Sequence, residues 1–567
     1  MTGTSTNTAP ETRSEWPLRP WALAALLALA GLGIHLAAEW DAAQWQPWRA
    51  ALTAAFAFGP LALAFTLDPR RWQAPLAFSL IVALVMAGIA WRVANAGDRY
   101  ADESFWFAAG VVACALALPL FQAGFHRLRW KTPYDATHFN VWTDAISFAG
   151  AMAFLGLSWL LLMLLAALFA AIEIDFLRNL IDEDWFGWMF SGAAFGAALG
   201  VLRNQLKIIG TLQSVVMLVF SIIAVPLAIA LAIFLLAVLA SGISVLWNAT
   251  ESPTPLLLSV AVAAFVLVNA VVRNRDAEAS DNRVLRWAAL ALAVMIFPLA
   301  LMGAVSTGTR IAEYGLSPER IWGVIALSVA VAYGVAYLIA PIRGHMAHWM
   351  ERVRIANMHL AVGTCVLAFV LALPLFDFGA LSARNQIARL EAGKVTLEEF
   401  DFAALRWDFG DAGREALAGL AEADDTELAQ LAGDALAQET RPYGTRERPD
   451  RKDDRLANLR MQVEDPALRE KVQQHVRTSP WRCTKPCVAL DMGPRDDGQR
   501  FVAFVEIGRV AHENFGASLE TGAQDVEAAA GDFTPIPDQS ADSTVEIREW
   551  SGRRIFIDGK PAGDPFE

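Results

Sequence analysis

Cys483 and Cys487, with three residues between them near the C-terminal end, are the pair best spaced for covalent chemistry. In an oxidising exterior a local disulfide is the simplest reading. Free or redox-active thiols come second, because this is not the two-residue spacing of thioredoxin-like sites. Metal comes third. Two thiolates leave a zinc site half-filled, and His475 and His512 complete no recognised spacing. The other cysteines, Cys114 and Cys365, lie in apolar runs and read as packing residues.

Other reactive patterns are weaker. His345 and His348 fall on one helix face, without the carboxylate or third ligand a zinc hydrolase needs. Asp182, Glu183 and Asp184 beside Trp185, with Glu313 and Arg384, could converge on a polar headgroup, but acids in such loops are more often simply hydrated. Asp408-Phe409-Gly410 spells the kinase metal-binding triplet without the rest of that machinery. Asn248-Ala249-Thr250 is a glycosylation sequon in form only. The sequence shows no phosphate loop, dinucleotide fingerprint or nucleophile elbow. No cofactor, metal or small-molecule ligand is expected, and catalysis is not favoured.

The elements that carry these residues are mostly hydrophobic. The 567-residue chain has a mean hydropathy of +0.37 and repeatedly runs about 20 residues without charge. Eleven spans are expected within a transmembrane domain at 20–375, after a polar leader at 1–19. The fifth is placed at 145–171, the seventh at 212–246 and the ninth at 287–305. Tryptophans such as Trp48, Trp72, Trp91, Trp106, Trp130, Trp287 and Trp322 fall near span ends, where an indole ring stays hydrated.

Loop charge supplies the orientation. The N-terminal tail and the loops on its side hold 16 Lys and Arg, against 6 in the short loops opposite. This bias places the N-terminus in the cytoplasm and residues 376–567 outside it. The last 192 residues hold 24 basic and 37 acidic residues, the whole of the chain's net charge of -13. Such an acidic tail argues against nucleic acid as a partner.

Two spans are unusual. The sixth holds Gly192, Gly196 and Gly200 on one helix face, a seam for close helix packing. The seventh is long enough to overrun the bilayer and contains Pro226, where it either kinks or breaks into the half-helices of a transporter site. No Asp, Glu, Lys or Arg is placed at mid-membrane, which argues against an ion-coupled carrier. In the tail, short helices are expected over 380–438 with a capping box at Thr396 and Glu399, then a helix over 456–476. Strands follow at 501–507, 545–550 and 554–557, and 510–543 reads as a long loop. The fold class is an all-α polytopic membrane body with a C-terminal α+β domain.

The segment Gly315-Leu316-Ser317-Pro318-Glu319-Arg320 starts a span sharply, Ser317 capping and Pro318 taking the first helical position. Asp377-Phe378-Gly379-Ala380-Leu381-Ser382-Ala383-Arg384-Asn385-Gln386 follows the last span, with Ser382, Arg384, Asn385 and Gln386 as a polar cluster at the membrane exit. Together these stretches resemble the bacterial membrane family called domain of unknown function 4153, over the early spans to roughly residue 420. The resemblance implies an inner-membrane location and a multi-span body, and brings no reaction or substrate. Three functions compete: a scaffold presenting its acidic domain to another envelope protein, a permease, and an enzyme acting on a lipid-linked substrate.

Overall fold

A computed structural model describes residues 16–38, 46–242, 253–344, 346–441, 455–479, 481–494, 500–506, 509–515, 545–550, 552–557 and 560–566. His345, the 248–250 sequon and most of the 510–543 segment lie outside the described residues. Chain contacts divide the molecule into two compact units, Met1–Leu436 and Ala437–Glu567.

Among the described residues, eleven helices of the first unit are long and apolar enough to cross a membrane. They are α1 (Arg19–Ala37), α2 (Pro47–Thr66), α3 (Gln73–Ala96), α4 (Glu103–Gln122), α5 (Tyr134–Ala170), α6 (Asp184–Asn204), α7 (Leu206–Ser241), α8 (Pro253–Val272), α9 (Arg283–Tyr314), α10 (Pro318–Arg343) and α11 (Trp349–Ala372). Four shorter helices follow in the same unit: α12 (Phe378–Glu391), α13 (Phe402–Trp407), α14 (Gly410–Ala421) and α15 (Thr426–Leu436). We call these four the collar.

Apolar side chains sort the spans into three groups. Leu23, Leu27, Phe195 and Leu199 join α1 to α6. Val82, Met86, Ile89 and Trp106 join α3 to α4, with Trp322 of α10 against them. Val268, Leu292, Ile296, Tyr337 and Val353 tie α8 to α9, α10 and α11.

Several helices outrun the apolar stretches that mark them in the sequence. The α5 helix begins at Tyr134, eleven residues before the expected 145, because the polar turn entering it is itself packed: Thr137, His138, Thr143 and Asp144 are all buried. Similarly, α9 extends to Tyr314 instead of ending near 305. The seventh span is one continuous helix through Pro226, and it stops at Gly242, whose φ of 83° suits a glycine. Trp48, Trp72, Trp91, Trp130 and Trp287 are exposed, as interface rings should be, but Trp106 and Trp322 are core residues. The Arg92 guanidinium lies 3.3 Å from the Trp106 ring centre.

Ser317 caps α10 as its spacing predicts, accepting from the Arg320 N–H, with Pro318 behind it. The expected capping box does not start a helix. Glu399 reaches back to the Thr396 N–H across a turn only, and α13 is instead capped by Asp401, which accepts from Ala404.

The second unit holds β1 (Leu459–Gln462), α16 (Pro466–Thr478), β2 (Cys487–Pro494), β3 (Arg500–Glu506), β4 (Arg509–Phe515), β5 (Val545–Trp550), β6 (Gly552–Ile557) and β7 (Lys560–Phe566). The first four strands form one sheet in sequence order, with β1 parallel to β2 and the rest antiparallel; β5, β6 and β7 form a second, antiparallel sheet. Two expectations change. Residues 459–462 are a strand, since their partner Cys487–Leu490 is remote in sequence and local propensity cannot report it. The supposed loop from 510 begins as β4. Both faces of β3 are covered: Val502 and Phe504 meet Val472 and Val476 of α16, while Ala503 and Val505 meet Ile555 and Ile557 of the second sheet. That explains its unbroken apolar run.

Candidate functional site

A helix ends with its last four carbonyls lacking intrahelical donors. At the end of α9 those carbonyls are Ile311, Ala312, Glu313 and Tyr314, and every one is met. Gly315 N–H donates to Ile311. The Arg389 guanidinium donates to Ala312 and Glu313, and Gln386 Nε2 to Tyr314 at 2.9 Å and Leu316 at 2.8 Å. Asn385 Oδ1 accepts the Leu316 N–H at 2.9 Å. The side chains of α12 thus form a C-cap for a helix more than sixty residues upstream. Gly315 has a φ of 74°, and a Cβ there would fall 2.7 Å from both Arg389 Cδ and Gln386 Nε2.

The membrane-exit cluster therefore divides. Asn385 and Gln386 grip the turn between α9 and α10. Among the described residues, Arg384 bonds within its own helix, to the Ala380 carbonyl, and Ser382 is fully buried with its hydroxyl unpaired. Arg389 belongs to this grip and was not singled out in the sequence. Its position seven residues beyond Ser382, on the same helix face, is the signal that could have found it.

A second grip holds the 97–102 loop. Gly410 has a φ of 66°, and a Cβ there would lie 2.5 Å from the Arg99 carbonyl, which accepts the Asp411 N–H. Arg414 donates to the Asp98 carbonyl. The Asp408-Phe409-Gly410 triplet is thus a docking turn, with Phe409 buried beneath it. Asp102 sits at this junction in a left-handed conformation, with one carboxylate oxygen buried and unpaired. Burial, then the charges of Glu319, Asp408 and Glu103, push its pKa up to about 6.

This shift gives a signed prediction. A carboxyl whose pKa is raised on docking supports docking fully below its free value of 3.8, and loses that support as pH climbs through about 6. Asp102→Asn should therefore tighten the collar at pH 7.5 by about 1 kcal/mol after solvent screening, and do nothing at pH 4. Hydrogen exchange over 97–102 and 378–414 at the two pH values checks this. Equal protection of both proteins at pH 7.5 would contradict it.

The opposite end of the body carries a polar clasp. Asn269, Tyr337 and Asn357 bond in a closed ring: Asn269 Nδ2 to Tyr337 Oη at 2.8 Å, Tyr337 Oη to Asn357 Oδ1 at 2.8 Å, and Asn357 Nδ2 to Asn269 Oδ1 at 2.7 Å. Asn357 also donates to Tyr134 Oη at 3.1 Å. One turn away, Arg354 donates to the Val272 and Arg273 carbonyls at the end of α8, and to Asp276. Four spans are bolted together by groups whose hydrogen bonds satisfy one another.

The Gly192, Gly196 and Gly200 stripe faces α1. A Cβ on these residues would lie 2.0 Å from the Leu27 carbonyl, 2.3 Å from the Leu23 carbonyl and 2.5 Å from Pro20 Cα. Cys483 and Cys487 are joined in a buried disulfide, their Cα atoms 5.3 Å apart. The Cys483 carbonyl accepts from Asn458, and its N–H reaches Glu506. The proposed headgroup acids stay on separate elements. Asp182, Glu183 and Asp184 mark the start of α6, Glu313 ends α9 and accepts from Tyr314, and Arg384 is on α12. Among the described residues no group of three His, Cys, Asp or Glu could hold a metal ion.

These features define a polytopic helical membrane protein whose spans are closed at one end by a helical collar. The chain belongs to the domain of unknown function 4153 family (DUF4153), whose model matches residues 23–420. No curated protein and no solved structure matches it.

Proposed function

We infer that this protein is an inner-membrane scaffold that holds an acidic C-terminal region in the periplasm for another envelope protein. The observation that carries this reading is the collar, fixed to the span ends by a complete set of caps instead of hanging on a linker. Residues 376–436 hold 13 acidic and 5 basic residues, and Glu422 and Asp424 in the turn before α15 and Glu427 in its first turn stand exposed. The loop-charge bias supports the orientation. The unbroken α7 weakens one of the three features that motivated a permease, the half-helix at Pro226.

The test has two parts, both on the full chain in cells. A reporter after residue 567 should be active only as an exported fusion, and Cys483 and Cys487 should resist alkylation until reduced. Two freely alkylated tail cysteines would overturn the external placement. Replacing both with Ser should cost the tail domain about 2 kcal/mol, a short-loop disulfide's contribution, and leave the spans untouched. Reversing Glu422, Asp424 and Glu427 to Lys should abolish complementation of a deletion strain at unchanged membrane level. Full complementation by that variant would sink the scaffold reading.

A further inference from the structure

Residues 126–131 all stand exposed between α4 and α5. The α4 helix starts beside Asp102 at the collar, so the turn after its far end lies at the opposite membrane face. The chain there makes one helical turn, Phe125–Leu128, and a 3-10 turn, Arg129–Lys131. Arg127, Arg129 and Lys131 alternate with Leu128 and Trp130, which are 47% and 61% exposed. Cations alone suit any wet loop. Exposed apolar side chains between them suit headgroup depth, where phosphate and hydrocarbon meet in one layer.

These charges do not hold the fold together. At the same face Arg203, Arg275 and Arg354 each pair with a carboxylate, and Arg19 caps a carbonyl. Among the described residues, no ion pair or side-chain hydrogen bond ties down Arg127, Arg129 or Lys131. No Asp or Glu occurs from 104 to 134, and the next acid, Asp135, is taken by Arg275.

The turn is nevertheless firmly placed. Trp130 stacks on His359 of α11 at 5.2 Å, and His126 on Phe121 of α4 at 4.7 Å. Thr132 donates both its N–H and its hydroxyl to the Arg129 carbonyl, at 3.1 and 2.6 Å. Arg129 itself has a φ of 51°, a conformation that favours glycine. An arginine that strains its own backbone points to a use for its guanidinium.

We propose that residues 126–131 form a binding surface for the headgroup of an anionic phospholipid, in the leaflet away from the collar. Arg127, Arg129 and Lys131 meet the phosphate, a guanidinium by paired N–H donors. Leu128 and Trp130 rest on the upper acyl region beside it. A soluble anion would match the charges and leave those two side chains without a partner.

The test uses the full-length protein in phosphatidylcholine nanodiscs, with phosphatidylglycerol added in steps and hydrogen exchange over 125–132 as the readout. Protection should grow with phosphatidylglycerol. Arg127→Gln together with Arg129→Gln should need about tenfold more of it for the same protection. Arg283→Gln with Arg286→Gln removes the same charge from exposed residues at the same face, where Asp276, Glu278 and Asp281 share the loop, and should change little. Arg129→Gly should raise the thermal midpoint, because glycine accepts that φ, and still weaken the response. Protection indifferent to phosphatidylglycerol would overturn the site. Equal shifts from the two double variants would leave only diffuse surface charge and overturn it as well. A lower midpoint for Arg129→Gly would make that arginine a structural residue and overturn its role. Equal protection by soluble glycerophosphate would overturn the lipid as occupant.

Discussion

Gly196→Leu should remove most of the folded protein from the membrane. Even one added carbon at this position would lie 2.3 Å from the Leu23 carbonyl, and the atom it meets is backbone, which cannot rotate away. Overpacking a core costs about 1–3 kcal/mol when side chains can give. Here α1 must separate from α6 instead. That separation also pulls Arg19 off the Arg203 carbonyl, which it caps at 2.8 Å, and Asn204 off Trp16. We expect a loss of more than about 3 kcal/mol for Leu and an intermediate effect for Ala. Gly156→Leu is the control, because a Cβ on Gly156 meets nothing within 4 Å. Detergent-solubilised yield and thermal midpoint provide the comparison. If the two Leu variants behaved alike, the seam would not be holding α1.

Arg354→Met should be nearly as damaging, and for a different reason. Met keeps the length and apolar stem but strips donors from the carbonyls of Val272, which is fully buried, and Arg273. Each buried carbonyl left without a donor costs about 1–3 kcal/mol, so roughly 2–5 kcal/mol is at stake. The ion pair with Asp276 contributes little, because Asp276 is 67% exposed. Arg354→Lys should recover only part of the loss, since a single ammonium cannot reproduce the planar fork. Hydrogen exchange over 269–276 should rise in both variants, more in Met. Unchanged exchange in Arg354→Met would show that water already serves those carbonyls.

The membrane body was legible because its signal is cumulative. A run such as 208–241 is apolar along its whole length, and hydrophobicity alone assigns it. Ser317-Pro318 announced a helix start because capping is local. What stayed hidden was long-range. Tyr134, Asn269, Tyr337 and Asn357 are ordinary polar residues near span ends until four helices bring them within 3.1 Å or less along the ring and its Tyr134 arm. Arg354 and Arg203 counted only as loop charge, yet Arg354 caps α8 and Arg203 pairs with Asp144 at 3.0 Å. Gly192, Gly196 and Gly200 could be read as a seam, but not as a seam for α1. β1 was misread as helix because its partner is β2, beyond α16.

The cap on α9 also sets an order in time. A ribosome that has finished Tyr314 must make more than sixty further residues, and two more spans must be placed, before Asn385, Gln386 and Arg389 exist to close it. Until then the donors that α12 supplies to Ala312, Glu313 and Leu316 are missing, and the turn rests on Arg320, the Ser317 cap and the Gly315 N–H. The body is therefore finished by its last-made helices, and it does not become complete at Ala372 where the spans stop. The family match runs past the last span and takes in α12, α13 and nearly all of α14 before it ends at residue 420.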